Sequence, residues 1–140
     1  MLLQERDRQA VRQRFEALDK PIRLINFTQE LECEFCRETR TLLEEVATLS
    51  DKTSLEIYNF QTDREKRDAF GIDKIPATVV MGEHDHGIRF YGIPSGYEFA
   101  SLLDTMLLVS RADSGLAPET RKRLAQLQKP LHLEVFVTPT

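Results

Sequence analysis

Ile22-Arg23-Leu24-Ile25-Asn26-Phe27 alternates in polarity and is rich in β-branched and aromatic side chains, the pattern of a strand. The polar run Thr28-Gln29-Glu30-Leu31-Glu32 follows, and then Cys33-Glu34-Phe35-Cys36. From Cys33 to about Leu49 a helical pattern takes over, with Cys36, Leu43 and Val46 on one side. A CxxC pair at the start of a helix, just after a strand, is chemically useful. Unpaired amides and the positive helix end stabilise a thiolate. That thiolate attacks a disulfide, and a cysteine one turn along resolves the mixed disulfide. The expected order is Cys33 exposed and nucleophilic, Cys36 more buried and resolving.

Working outward, residues 3–19 read as a helix with Ala10, Val11, Phe15 and Leu18 as its apolar stripe, ended by Pro21. Downstream, Leu55–Phe60 reads as a strand and Asp63–Phe70 as a short helix stopped by Gly71. Ile72–Met81 reads as a strand with Pro76 near its beginning, and Gly82–Gly87 as a hairpin turn into the strand Ile88–Tyr91. Gly92-Ile93-Pro94 breaks that strand. Ser95 and Glu98 have capping-box spacing ahead of a helix whose core face is Phe99, Leu102, Leu103, Met106 and Leu107. After a loop at 111–117, Pro118 opens a helix to about Gln128, and Leu131–Val137 reads as a last strand. The block from 21 to 111 is therefore βαβαββα, an α/β pattern with a mixed sheet and helices on both faces.

The chain has 140 residues, 41% hydrophobic and 30% charged, which is one domain's worth with enough apolar surface for a core. A net charge of −4 argues against a nucleic-acid surface. Its apolar runs fall well short of the about 20 residues that span a bilayer. Met1–Arg8 turns charged at once, unlike a signal peptide, so the expected address is cytoplasmic. A reducing cytosol disfavours structural disulfides, and so short a loop gains little chain entropy from one. A redox or metal role for Cys33 and Cys36 remains. His84 and His86 could complete a Cys2His2 zinc set, but the spacing fits no finger pattern and the two histidines read as exposed turn residues. No metal and no cofactor is expected. His132 reads as a structural residue in its strand.

Ile75-Pro76 forms the second half of the candidate site. Proline is tolerated at a strand start. With a cis bond the chain turns sharply, and the Ile75 backbone can pair with an extended peptide beside Cys33. Ile75 and Pro76 are thus the expected substrate-binding residues. Glu30, Glu32, Glu34 and Glu38 surround the cysteines, against Arg37 and Arg40. Their charge opposes a thiolate, so the pair is expected to be more reducing than one with proline or histidine between the cysteines.

A half repeat closes the chain. Lys20-Pro-Ile-Arg-Leu-Ile-Asn-Phe27 matches Lys129-Pro-Leu-His-Leu-Glu-Val-Phe136 in pattern, and the preceding helices correspond. With the CxxC and Ile75-Pro76-Ala77-Thr78, and the segment Arg89–Phe99, the chain resembles the thioredoxin/glutaredoxin superfamily. More narrowly, it is similar to the N-terminal unit of the protein disulfide oxidoreductases of thermophilic archaea and bacteria. The resemblance implies a thioredoxin-like fold. Its central mixed four-stranded sheet carries helices on both faces, with an N-terminal helix and a C-terminal helix-strand extension. Residues 1–117 would form the thioredoxin/glutaredoxin-like domain, and 118–140 the helix and first strand of a truncated second unit. It implies redox roles for Cys33 and Cys36 and a cis peptide at Pro76. Asn26 departs from thioredoxins, which place a buried carboxylate on this strand. Asn cannot titrate, so a proton acceptor for Cys36 must come from elsewhere.

The function this implies is a thiol-disulfide oxidoreductase unit acting on protein disulfides or dithiols. Its electrons would come from a thiol donor such as a thioredoxin-reductase-like flavoprotein. The expected partners include no nucleic acid and no membrane, with a homodimer through the C-terminal strand. Two alternatives stand beside it. One is a thioredoxin-fold scaffolding module whose main redox activity lies in a second unit. The other is a glutathione-linked glutaredoxin, for which Arg37, Arg40 and Lys74 are the candidate carboxylate binders.

Overall fold

A computed structural model describes residues 1–138. Helix α1 spans Glu5–Phe15, strand β1 Ile22–Thr28, helix α2 Cys36–Ala47, strand β2 Thr53–Asn59 and helix α3 Arg64–Ala69. Strand β3 spans Ala77–Met81, strand β4 Arg89–Tyr91, helix α4 Tyr97–Ser110 and helix α5 Pro118–Leu124. The strands form one sheet in the order β2-β1-β3-β4. β1 runs parallel to β2 and antiparallel to β3, and β3 runs antiparallel to β4.

β1 is the central strand because its side chains are apolar on both faces. Ile22 and Leu24 point into a core shared with Val11 and Phe15 of α1, Leu43 and Val46 of α2, and Leu102 and Met106 of α4. Ile25 and Phe27 point the other way, into a second cluster with Val79, Ile72 and the aromatic rings that flank α3. A strand covered on both faces needs this double alternation. The stripe Cys36, Thr39, Leu43, Val46 on α2 has helical spacing, and all four are buried.

Several expectations are corrected. Residues 131–137, read as a strand, form none among the described residues. Leu133, Val135 and Phe136 are 84–89% exposed. Alternation marks two faces but supplies no partner strand, and β1 already has a neighbour on each edge. Residues 139 and 140 of that expected unit lie outside the described residues. The expected capping box of Ser95 and Glu98 does not form. Gly96, at φ 61°, caps α4 instead, with no side-chain bond, because a left-handed entry suits glycine. α5 ends at Leu124 rather than near Gln128, and Ala10 of the α1 stripe is exposed. No helix among the described residues is long and apolar enough to cross a membrane.

One polar contact ties the N-terminal segment to α2. Glu45 accepts hydrogen bonds from the Leu2 and Leu3 amides, with Arg8 Nη1 3.6 Å away. Burial works to raise its proton affinity, but the two amides and Arg8 outweigh it, and the carboxyl titrates below its ordinary 4.5. A lowered folded-state pKa stabilises the fold above the unfolded value and loses that contribution as pH falls through the lowered one. Glu45→Gln is therefore expected to lower the urea midpoint at pH 7, with the deficit shrinking as pH falls through the lowered titration of Glu45. A deficit that stays equal across that fall would assign the effect to packing.

Candidate functional site

β1 ends at Thr28 and its chain loops over the end of the sheet before α2 returns. The loop is closed by Gln29 Nε2 donating to the Leu31 carbonyl at 2.6 Å. Glu32 takes a left-handed φ of 57°, uncommon for a residue with a side chain. Cys33 and Cys36 are joined by a disulfide with their Cα atoms 5.5 Å apart. Cys33 is half-buried and Cys36 is 1% exposed.

Cys33 does not open the helix, as the pattern predicted. A turn at Glu34-Phe35 intervenes, and Cys36 is the first helical residue. The Phe35 carbonyl accepts the first helical bond, from the Thr39 amide at 3.0 Å, and also the Thr39 hydroxyl at 2.7 Å. The opening amides of α2 have no intrahelical acceptor and end near the cysteine pair. They supply the positive end that the thiolate argument needs.

β3 runs antiparallel to β1, and its last pairing is Phe27 with Ala77. Pro76 therefore stands beside Thr28, at the same end of the sheet as the cysteine loop. The expected strand over 72–81 begins only at Ala77, because the chain bends at the cis Ile75–Pro76 bond. Pro76 is buried, and its carbonyl accepts the Gly92 amide at 2.9 Å, which ties the start of β3 to the end of β4. Ile75 is half-buried, and among the described residues its own amide and carbonyl have no backbone partner.

The same register separates the histidines from the cysteines. Met81 pairs with Arg23, so the loop carrying His84 and His86 lies at the opposite end of the sheet. No group of three or more metal-ligating side chains is gathered among the described residues. His132 is exposed and 2.9 Å from Glu134.

The rim of the site is acidic and apolar. Glu30, Glu32, Glu34 and Glu38 are exposed, and Leu31 and Phe35 are 78% and 45% exposed. Two of the three candidate cations have carboxylate partners: Arg40 with Glu44 at 2.9 Å and Lys74 with Asp73 at 2.8 Å. Two shallow depressions, one along α1 and one beside Leu49–Lys52, are lined by no residue of the site.

In the sheet near this end lies a feature that the sequence only half reveals. Asn26 is fully buried, and its Nδ2 donates to the Ala77 carbonyl at 3.0 Å. Thr78, which closes the motif Ile75-Pro76-Ala77-Thr78 but received no role from the sequence, is fully buried beside it. The available signal is the two-residue period, which puts Thr78 on the face of Pro76.

No family model matches the chain. It is similar in structure to a protein disulfide oxidoreductase from Aeropyrum pernix K1, with TM-score 0.90 and 25% identity, over 99% of this chain and 61% of that one. It is also similar to the AhpF component of alkylhydroperoxide reductase from Enterococcus faecalis, with TM-score 0.80 and 31% identity, over 92% of this chain and 62% of that one. In sequence it is 34% identical over 100 residues to the corresponding F component of the alkyl hydroperoxide reductase of Xanthomonas campestris pv. phaseoli, covering 71% of this chain and 17% of that protein. The chain thus spans less than two thirds of each of these relatives.

The acidic rim should act on Cys33 through space. In the reduced protein, Glu30, Glu32 and Glu34 replaced together by Gln should speed alkylation of Cys33 at neutral pH and low salt by about threefold, a few tenths of a kcal/mol per charge. The gain should shrink in high salt, where screening covers the charges in wild type too. A rate unchanged at low salt would remove the electrostatic role of the rim.

Proposed function

We propose that the chain is a unit of the thioredoxin superfamily, a reading supported by its structural neighbours, and that it exchanges dithiol and disulfide with protein substrates through Cys33 and Cys36. The observation that carries the proposal is the asymmetry of the pair. A half-buried Cys33 and a Cys36 at 1% exposure are joined by a disulfide beside unpaired helix amides. Both cysteines stand at the sheet end that also carries Ile75 and Pro76.

In the reducing direction, the Cys33 thiolate attacks one sulfur of a substrate disulfide. That bond breaks, the leaving substrate sulfur takes up a proton, and a mixed disulfide joins Cys33 to the substrate. Cys36 gives up its proton and attacks Cys33 Sγ. The second substrate thiolate leaves and is protonated. Two electrons have passed to the substrate, and Cys33–Cys36 is a disulfide. A thiol or flavoprotein donor of two electrons restores the dithiol. Run backwards, the same steps oxidise a substrate dithiol.

Ile75 and Pro76 have a substrate-binding role in this proposal. The Ile75 amide and carbonyl lie half-buried without backbone partners among the described residues, as a receptor for an extended peptide requires. A protein substrate is favoured over glutathione. The exposed Leu31 and Phe35 suit an apolar protein surface, while Arg40 and Lys74 face carboxylates of this chain. Similarity to the F component of alkyl hydroperoxide reductase supports a redox partner protein. The cytoplasm, with its reducing poise, is the compartment that fits such a cycle.

Insulin reduction driven by a dithiol tests the activity. Cys33→Ser should abolish it. Cys36→Ser should retain the first attack and accumulate a mixed disulfide, visible by mass spectrometry as a substrate adduct on Cys33. Adducts on Cys36 in Cys33→Ser, with Cys33 unreactive in Cys36→Ser, would reverse the assignment. Turnover only with glutathione would establish the glutaredoxin alternative.

A further inference from the structure

One row of the sheet holds two fully buried polar side chains. In register across it stand Ile57, Asn26, Thr78 and Phe90. Partners in register project to the same face. Two residues further along, Leu24 and Val80 belong to the core cluster that α2 covers, so Asn26 and Thr78 face α2 as well. Both residues are 0% exposed.

Asn26 Nδ2 is satisfied by the Ala77 carbonyl. Asn26 Oδ1 and Thr78 Oγ1 are buried with no hydrogen-bond partner among the described residues. Two neighbouring polar atoms left unpaired in a core are rare and destabilising. The group placed above them is Cys36. α2 returns over β1 from the site end, and its sheet-facing stripe descends Cys36, Thr39, Leu43, Val46. Leu43 and Val46 share the cluster of Ile22 and Leu24, so Cys36 and Thr39 stand over the row nearer the site, that of Asn26 and Thr78. The Thr39 hydroxyl is already committed to the Phe35 carbonyl. Cys36 Sγ remains.

We propose that Asn26 Oδ1 and Thr78 Oγ1 form an uncharged polar seat for the Cys36 thiol, unpaired in the disulfide form and engaged on reduction. A disulfide sulfur is a weak acceptor and no donor. When a dithiol delivers two electrons and two protons, the Cys33–Cys36 bond breaks and Cys36 gains an S–H. That S–H donates to Asn26 Oδ1, and the Thr78 hydroxyl donates to the Cys36 sulfur. As Cys36 gives up its proton to attack, the same hydroxyl supports the growing thiolate. The unpaired atoms thus burden the oxidised form, and their pairing favours the reduced one. Asn26 and Thr78 are positioning residues that act through Cys36.

This rests on the reading of Cys33–Cys36 as a reversible redox pair. The test is the reduction potential of the full chain, by equilibration in dithiothreitol or glutathione buffers and mass spectrometry of trapped thiols. Thr78→Val keeps the shape and removes the hydroxyl. It should lower the equilibrium constant for reduction about tenfold, about 30 mV more negative for a two-electron couple. Thr78→Ser restores the hydroxyl and should stay within about twofold of wild type, under about 10 mV on the same scale. A structural effect changes the stability of oxidised and reduced forms alike and cancels in the potential, so urea unfolding of both forms separates the two causes. Where valine is not accommodated, Thr78→Ala gives the same comparison against Thr78→Ser. A hydroxyl-free variant within about twofold of wild type, or a serine variant shifted as far as it, overturns the proposal. A wild-type pair with a measurable potential but no exchange with insulin would sink the proposed function and leave this proposal standing.

Discussion

β1 is paired on both edges and buried on both faces, and every part of the site is positioned by that double confinement. Its parallel partner β2 requires a crossover, and α2 is that crossover. The crossover must leave from the end of β1, so the cysteine loop has to sit at the end of the sheet where β1 stops. The antiparallel partner β3 brings its first residues to the same place, because Phe27 faces Ala77. The CxxC and Pro76 are brought to one end of the sheet by this pairing, and local bonds such as that of the Gly92 amide to the Pro76 carbonyl then fix them there. Both follow from one strand carrying apolar side chains on both faces, which only a central strand can bury.

The same confinement creates the difference between the cysteines. A residue in the first turn of α2 on the sheet-facing stripe is sealed beneath the helix, and Cys36 occupies that position. A residue three places earlier belongs to the loop, and Cys33 is left at its rim. The turn at Glu34-Phe35 keeps Cys33 out of the helix yet within bonding distance of Cys36, so Cys33 stands beside the start of α2 without being helical. Against that positive end stand four exposed glutamates. Their effect is diluted by solvent and salt, whereas the amides are fixed at the site.

Much of this is legible in the sequence because it is local. The run Ile22–Phe27 identifies β1, the helical spacing of Cys36, Leu43 and Val46 identifies α2 and its buried side, and Ile75-Pro76 marks the start of β3. What is not legible depends on a partner or on a rare backbone angle. Residues 131–137 have the alternation of a strand, but pairing is a property of two segments and the pattern describes one. The Ser95 and Glu98 spacing promises a cap, but Gly96 at a positive φ sets the entry to α4 and leaves the box unused. Thr78 receives no role from the sequence because a threonine inside Ala77–Met81 looks like an ordinary β-branched strand residue. Its significance appears only when the register sets it against Asn26.

That pairing bears on how a thiol with no carboxylate beneath it can still be a useful leaving and attacking group. A buried carboxylate would add a titration of its own, and its charge would oppose the Cys36 thiolate. An amide and a hydroxyl do neither. They offer one acceptor and one adaptable donor, which a thiol and then a thiolate can use in turn. Such a seat can lie under the cysteine without introducing a charge into the core, and its contribution stays the same wherever Asn and Thr keep their protons. β3 would then act twice at one end of the sheet. Pro76, just before its first residue, would border the face proposed for a substrate backbone, and Thr78, the second residue of the strand, would support the Cys36 sulfur.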